Sequence, residues 1–156
     1  MAFSLAARRG SEAGSGSEAP ADRGRGRAAL GVRGVSAALL LLGLYHVGLG
    51  LLMALSPGTF FDVIASYGTR NDHYIRDVST FYLAMGVVQL VAVARLSWRL
   101  PVLAFTALQY ALHVVNHARD VGEADPGWIG PVNLVSLMAV TVVILATLRS
   151  ARRARR

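Results

Sequence analysis

Residues 34–55 read GVSAALLLLGLYHVGLGLLMAL, a run with no charged side chain and one histidine. At about 1.5 Å of rise per residue, a helix of this length matches a hydrocarbon core roughly 30 Å thick. Three further runs are of similar length: 77–95 (DVSTFYLAMGVVQLVAVAR), 100–119 (LPVLAFTALQYALHVVNHAR) and 129–149 (IGPVNLVSLMAVTVVILATLR). Backbone crossing lipid must satisfy its own hydrogen bonds, so each run is expected to be a helix. The expected fold is an all-α bundle of four transmembrane helices with short connections. Composition agrees, because 54% of the 156 residues are hydrophobic and only 16% charged, too apolar for a soluble domain of this size. The sequence has no cysteine, which excludes disulfides, thiolate metal sites and cysteine nucleophiles.

The joints between runs carry their own signals. Arg95 and Arg99 flank a short turn at 95–100, with Trp98 suited to the interface and Pro101 to the first turn of a helix. Asp125-Pro126-Gly127 is a turn signal ahead of the interfacial candidate Trp128, and Pro131 again suits a first turn. Between the first two runs lies SPGTFFDVIASYG, residues 56–68. There Ser56 can cap, Pro57 can start a helix, and Phe60, Phe61, Ile64 and Tyr67 can share one face. The stretch reads as a short amphipathic helix lying in the interface, with an irregular loop as the alternative.

Charge sets the orientation. All 16 basic residues are arginine. Arg8, Arg9, Arg23, Arg25, Arg27 and Arg33 precede the first run, Arg95 and Arg99 sit in the second turn, and Arg149, Arg152, Arg153, Arg155 and Arg156 close the chain. The opposite side keeps only Arg70, Arg76 and Arg119, with most of the acids. By the positive-inside rule both termini are cytoplasmic, N-in and C-in. The tract RGRGR at 23–27 and the ending RSARRARR at 149–156 look like nucleic-acid patches. Beside four spans they read instead as topology signals that touch anionic lipid, at roughly 1 kcal/mol per arginine near the surface. No nucleic-acid partner is expected. Residues 1–33 are expected to form a disordered Arg/Gly/Ser-rich cytoplasmic tail, 34–149 the membrane domain and 150–156 a basic tail. The apolar stretch before Arg8 is too short for a signal peptide.

Polar groups inside the runs are costly, roughly 2.5–3.5 kcal/mol for a charged side chain at mid-helix, so each asks for a reason. In the third run Thr106, Gln109, His113, Asn116, His117 and Asp120 recur at three- and four-residue spacing and share a face. The first run contributes Tyr45 and His46, flanked one turn away by Gly43 and Gly50, which leave room for a neighbouring backbone or a ligand. The second begins with His73, Arg76, Asp77 and Thr80, and the fourth with Asn133 and Ser136. With this topology His46, Arg76, Asp77, His113, Asn116, His117 and Asn133 form an outward-facing polar cluster in the outer half of the bilayer.

Several chemistries suit such a cluster. His113 and His117, at i and i+4, can chelate a divalent metal, with His46, Asp77 or Asp120 as third ligand. The stretch HVVNH lacks the glutamate of the zinc-protease helix. Haem could take His46 opposite His113 or His117 as axial ligands. A quinone headgroup could accept hydrogen bonds from a neutral histidine with Asn116 or Tyr45, and a proton relay could use the histidines with Asp77. The purely structural alternative is interhelical hydrogen bonding, with Arg76 paired to Asp72 or Asp77 to Arg119. Tyr67, Tyr74, Tyr82 and Tyr110 read as interfacial or packing aromatics, and Met53, Met85 and Met138 as core filler.

The order GLYHVGLGLLMALSPGTFFDVIASYG, then NDHYIRDVSTFYLAMGVVQLVA, then ALQYALHVVNHARDVG resembles the small bacterial four-helix membrane proteins of the DoxX-like group, over approximately 40–149. The resemblance implies a bacterial plasma-membrane protein of unassigned or respiratory-chain-associated role. In it, Arg76 and Asp77 match an Arg-Asp position and His113 and His117 the histidine positions. It implies no reaction, since function varies within one fold. The expected function is a non-enzymatic binding or accessory protein whose cluster takes a small apolar-bodied ligand or a partner helix. The alternative is a redox or quinone-linked enzyme component. A homo-oligomer or another membrane protein is the expected partner.

Overall fold

A computed structural model describes residues 20–154, with side chains from residue 31 onward. Its elements are α1 (Pro20–Leu55), α2 (Pro57–Val63), α3 (Asp72–Ala94), a 3-10 turn (Leu96–Trp98), α4 (Arg99–Arg119) and α5 (Ile129–Arg153). The chain is all-α. Among the described residues the sole β feature is an isolated antiparallel bridge between Tyr67 and Ala124. Three helical segments are long and apolar enough to cross a membrane: Gly31–Leu55, Asp72–Ala94 and Ile129–Arg153. Helix α4 is not among them, because Gln109, His113, Asn116 and His117 dilute its apolar character.

Two boundaries differ from expectation. Helix α1 begins at Pro20, so residues 20–33, expected in the disordered tail, are helical. Once the apolar run has nucleated a helix, adding Ala and Arg residues at its end is favourable, and Pro is tolerated at the first turn. The remainder of that tail, 1–19, and residues 155–156 lie outside the described residues. Helix α3 starts before the expected Asp77, because the Asn71 side chain accepts a hydrogen bond from the Tyr74 N–H at 3.1 Å and caps it.

The four long helices close a ring: α1 packs on α3 and α5, and α4 packs on α3 and α5, while α2 rests on α1 and α3. The α1–α3 crossing is a glycine seam. A Cβ on Gly86 would lie 2.8 Å from the Val47 nitrogen and 2.9 Å from the Gly43 oxygen, and one on Gly50 would lie 3.0 Å from the Leu83 nitrogen. The space beside His46 therefore admits a neighbouring backbone, not a ligand.

The sidedness is the reverse of a water-soluble bundle. Leu41, Leu112, Val135 and Val142 are exposed, whereas His46, Ser79, Gln89, Arg99 and Thr106 are buried. Arg99, which flanks the short turn as expected, turns inward and is buried. It donates to the carbonyls of Ala92 at 3.2 Å and Val93 at 2.7 Å, and across to α1 at Val32 O (3.3 Å) and Ser36 Oγ (2.7 Å). Ala92 and Val93 belong to the last turn of α3, whose carbonyls lack helical donors and carry partial negative charge. One guanidinium thus caps α3 and ties it to α1.

Candidate functional site

At the end of the bundle that carries α2, the helices enclose a cavity of about 400 Å³. Helix α4 supplies its polar stripe, His113, Asn116 and His117, with Asp120 just beyond, and α5 supplies Asn133 and Ser136. The opposite walls combine apolar residues, Leu49 and Met53 of α1 and Ile75 and Val78 of α3, with the rings of Tyr45, Tyr74 and Tyr82. Phe60, Phe61, Ile64 and Tyr67 all face this cavity, as their shared spacing suggests. Helix α2 ends at Val63, however, so Ile64 and Tyr67 reach the cavity from the following loop. The Ser56 side chain bonds Thr59 Oγ1 at 2.8 Å instead of capping α2.

A hydrogen-bonded chain fixes the roof. Asn133 Nδ2 donates to Ile64 O at 2.6 Å and to Tyr67 Oη at 3.4 Å. Tyr67 Oη lies 3.1 Å from His117 Nδ1. Where the Tyr67 hydroxyl donates to Nδ1, a neutral His117 carries its N–H on Nε2; where Nδ1 carries the proton, it donates to Tyr67 Oη beside Asn133. The same loop is pinned to the α4–α5 connection by Asp125 N–H donating to Ser66 O at 3.0 Å, and by the Ser66 hydroxyl bonding Asp125 O. At its other end Arg70 binds Asp72 at 2.7 Å, and those hydrogen bonds and the adjacent charge raise the guanidinium pKa above its ordinary value.

Below the cavity His46 is fully buried. A carbonyl only accepts, so the 2.7 Å contact of Nδ1 with Leu42 O places the proton on Nδ1. Nε2, 2.9 Å from Tyr110 Oη, then accepts from the tyrosine. Both nitrogens are engaged, and the ring also meets Tyr45, Tyr82 and Tyr110 edge-on or tilted. Deeper still, Gln89 donates to Thr106 Oγ1 at 3.0 Å, and its own oxygen is buried without a partner.

The structure thus gathers four of the seven expected residues, His113, Asn116, His117 and Asn133, around one cavity. His46 stands behind the wall and reaches the cavity through Tyr110. Arg76 and Asp77 do not join. They lie on the exposed side of α3, where Asp77 pairs with His73 at 3.4 Å, while Asp72 pairs with Arg70; neither expected pairing, Arg76 with Asp72 or Asp77 with Arg119, is formed. The imidazoles of His113 and His117 approach to 4.7 Å between centroids, yet among the described residues no third His, Asp or Glu joins them in a metal-holding group.

Sequence reasoning missed the tyrosines. Tyr67 and Tyr110 are hydrogen-bonding members of the site, not only packing aromatics. Tyr110 precedes His113 by three residues on the same stripe, a signal that could have found it. Comparison with protein-family models, curated proteins and solved structures finds no match to this chain.

Proposed function

We propose that the chain is an integral membrane protein with four spans, N-in and C-in, of the DoxX-like kind, which binds a small lipid-soluble molecule in the α2-end cavity. The carrying observation is that cavity, about 400 Å³ with a largely apolar and aromatic wall on which His113, Asn116, His117 and Asn133 converge. An apolar pocket with a few convergent polar groups is the ordinary form of a small-molecule site. Three apolar helices support membrane insertion, and α4 closes a ring with them. A fourth crossing brings both arginine-rich ends to one side, as the positive-inside rule favours. The cavity then opens in the outer half of the bilayer.

Photolabelling of the full chain in nanodiscs with a small uncharged aryl diazirine tests the binding reading. Saturable labelling should concentrate on cavity residues such as Tyr110 and His113, and Ser136→Trp, which fills the cavity, should suppress it. Labelling spread over lipid-facing α5 positions such as Val135 and Val142 would sink the idea. A reporter fused to the C-terminus should be active only in the cytoplasm.

A further inference from the structure

The cavity's walls are unusually aromatic, and their charge is one-sided. All five tyrosines of the chain border it, together with Phe60 and Phe61. Among the described residues lining it, none is lysine or arginine, and the single carboxylate is Asp120. The arginines on this end of the bundle, Arg70, Arg76 and Arg119, are exposed and stand off the lining. An anion entering would leave water for a site with a carboxylate and no cationic partner. A cation would meet that carboxylate and a wall rich in aromatic rings, whose faces attract cations most where water is excluded.

We propose that this cavity selects lipophilic organic cations, a quaternary or tertiary ammonium on an apolar body, over anions of the same size. The inference rests on the cavity being a ligand site. Tyr74, an exposed ring at 66% accessibility, and Asp120 supply the entrance at which the charge is recognised. Apolar residues such as Met53 and Val78 receive the body.

The test titrates the full chain in nanodiscs with phenyltrimethylammonium and with benzenesulfonate, calorimetrically, beside the uncharged diazirine. The cation should bind at least tenfold more tightly than the anion. Asp120→Asn should weaken the cation about tenfold and Asp120→Glu restore most of it, with thermal midpoints near wild type. Should Asp120→Asn fail to fold, Tyr74→Leu should weaken the cation severalfold while Tyr74→Phe, which keeps the ring, does not. Equal or tighter binding of benzenesulfonate, or undiminished cation binding in both Asp120→Asn and Tyr74→Leu, overturns the inference. If the wild type takes the diazirine at the cavity but neither salt, charge selection fails and the ligand site stands. If the diazirine is refused as well, both fail.

Discussion

Tyr110→Phe removes one oxygen and isolates one buried acceptor. Interhelical hydrogen bonds in membranes average about 0.6 kcal/mol and reach about 1.7. A buried polar atom left without its partner costs more, about 1–3 kcal/mol. The second figure governs here. His46 is 0% and Tyr110 3% exposed, so the bond is shielded from bulk solvent, although the Tyr110 ring also borders the cavity. His46 Nδ1 is already given to Leu42 O at 2.7 Å, and Gln89 Nε2 donates one of its two N–H groups to Thr106 at 3.0 Å, so His46 Nε2 loses its hydroxyl donor with only a rearranged Gln89 or Tyr45 to replace it. We expect Tyr110→Phe to destabilise by about 1.5–2 kcal/mol. His46→Leu, which deletes the acceptor, should make the loss of the hydroxyl matter less, giving a coupling of about 1 kcal/mol in the double-mutant cycle. Reversible unfolding in mixed micelles, followed by helical ellipticity against denaturing detergent, measures all four proteins. A cost below about 0.5 kcal/mol for Tyr110→Phe, or additivity within about 0.3 kcal/mol, would show that the His46–Tyr110 bond does not hold α1 to α4.

Other perturbations separate the remaining features. Arg99→Lys keeps the charge but not the planar fork that reaches two helices, so it should destabilise by about 1–3 kcal/mol in the same assay. Gly86→Ala, whose Cβ would meet backbone at 2.8 Å, should cost about 1–3 kcal/mol, whereas Gly48→Ala, with nothing within 4 Å, should be neutral or stabilising by up to about 1 kcal/mol. Asn133→Leu removes both donations to the 64–67 segment, and hydrogen exchange at Tyr67 and Gly68 should quicken while exchange within α3 is unchanged.

The sequence revealed how deep residues sit far better than which way they face. Long apolar runs mark the helices, and the polar stripe of α4 is a single-helix pattern, so His113, Asn116 and His117 could be grouped without knowing any neighbour. Arg76 and Asp77 sit near the same end of the bundle, but depth is not direction. Each residue turns a helix by about 100°, and Ile75 and Ser79 are the buried positions of α3 there. Arg76 and Asp77 are accordingly rotated outward. Tyr67–His117 and Asn133–Ile64 span 50 and 69 residues of sequence and depend on a loop path that no periodicity encodes. Arg99 was hidden for a related reason: a basic residue at a turn signals sidedness equally well whether it faces lipid headgroups or folds back onto carbonyls.

The roof fixings also impose an order on assembly. Tyr67 and Ile64 are made early in translation, but they are fastened by His117 at the end of α4 and by Asn133 on α5. Chains grow and insert from the N-terminus at about 5–20 residues per second. Helices α1 and α3 can therefore meet along their glycine seam before either fastener exists, and α2 waits on top of them. The cavity closes when α5 arrives, so a nascent chain halted before Asn133 has its helical pair and lacks its site.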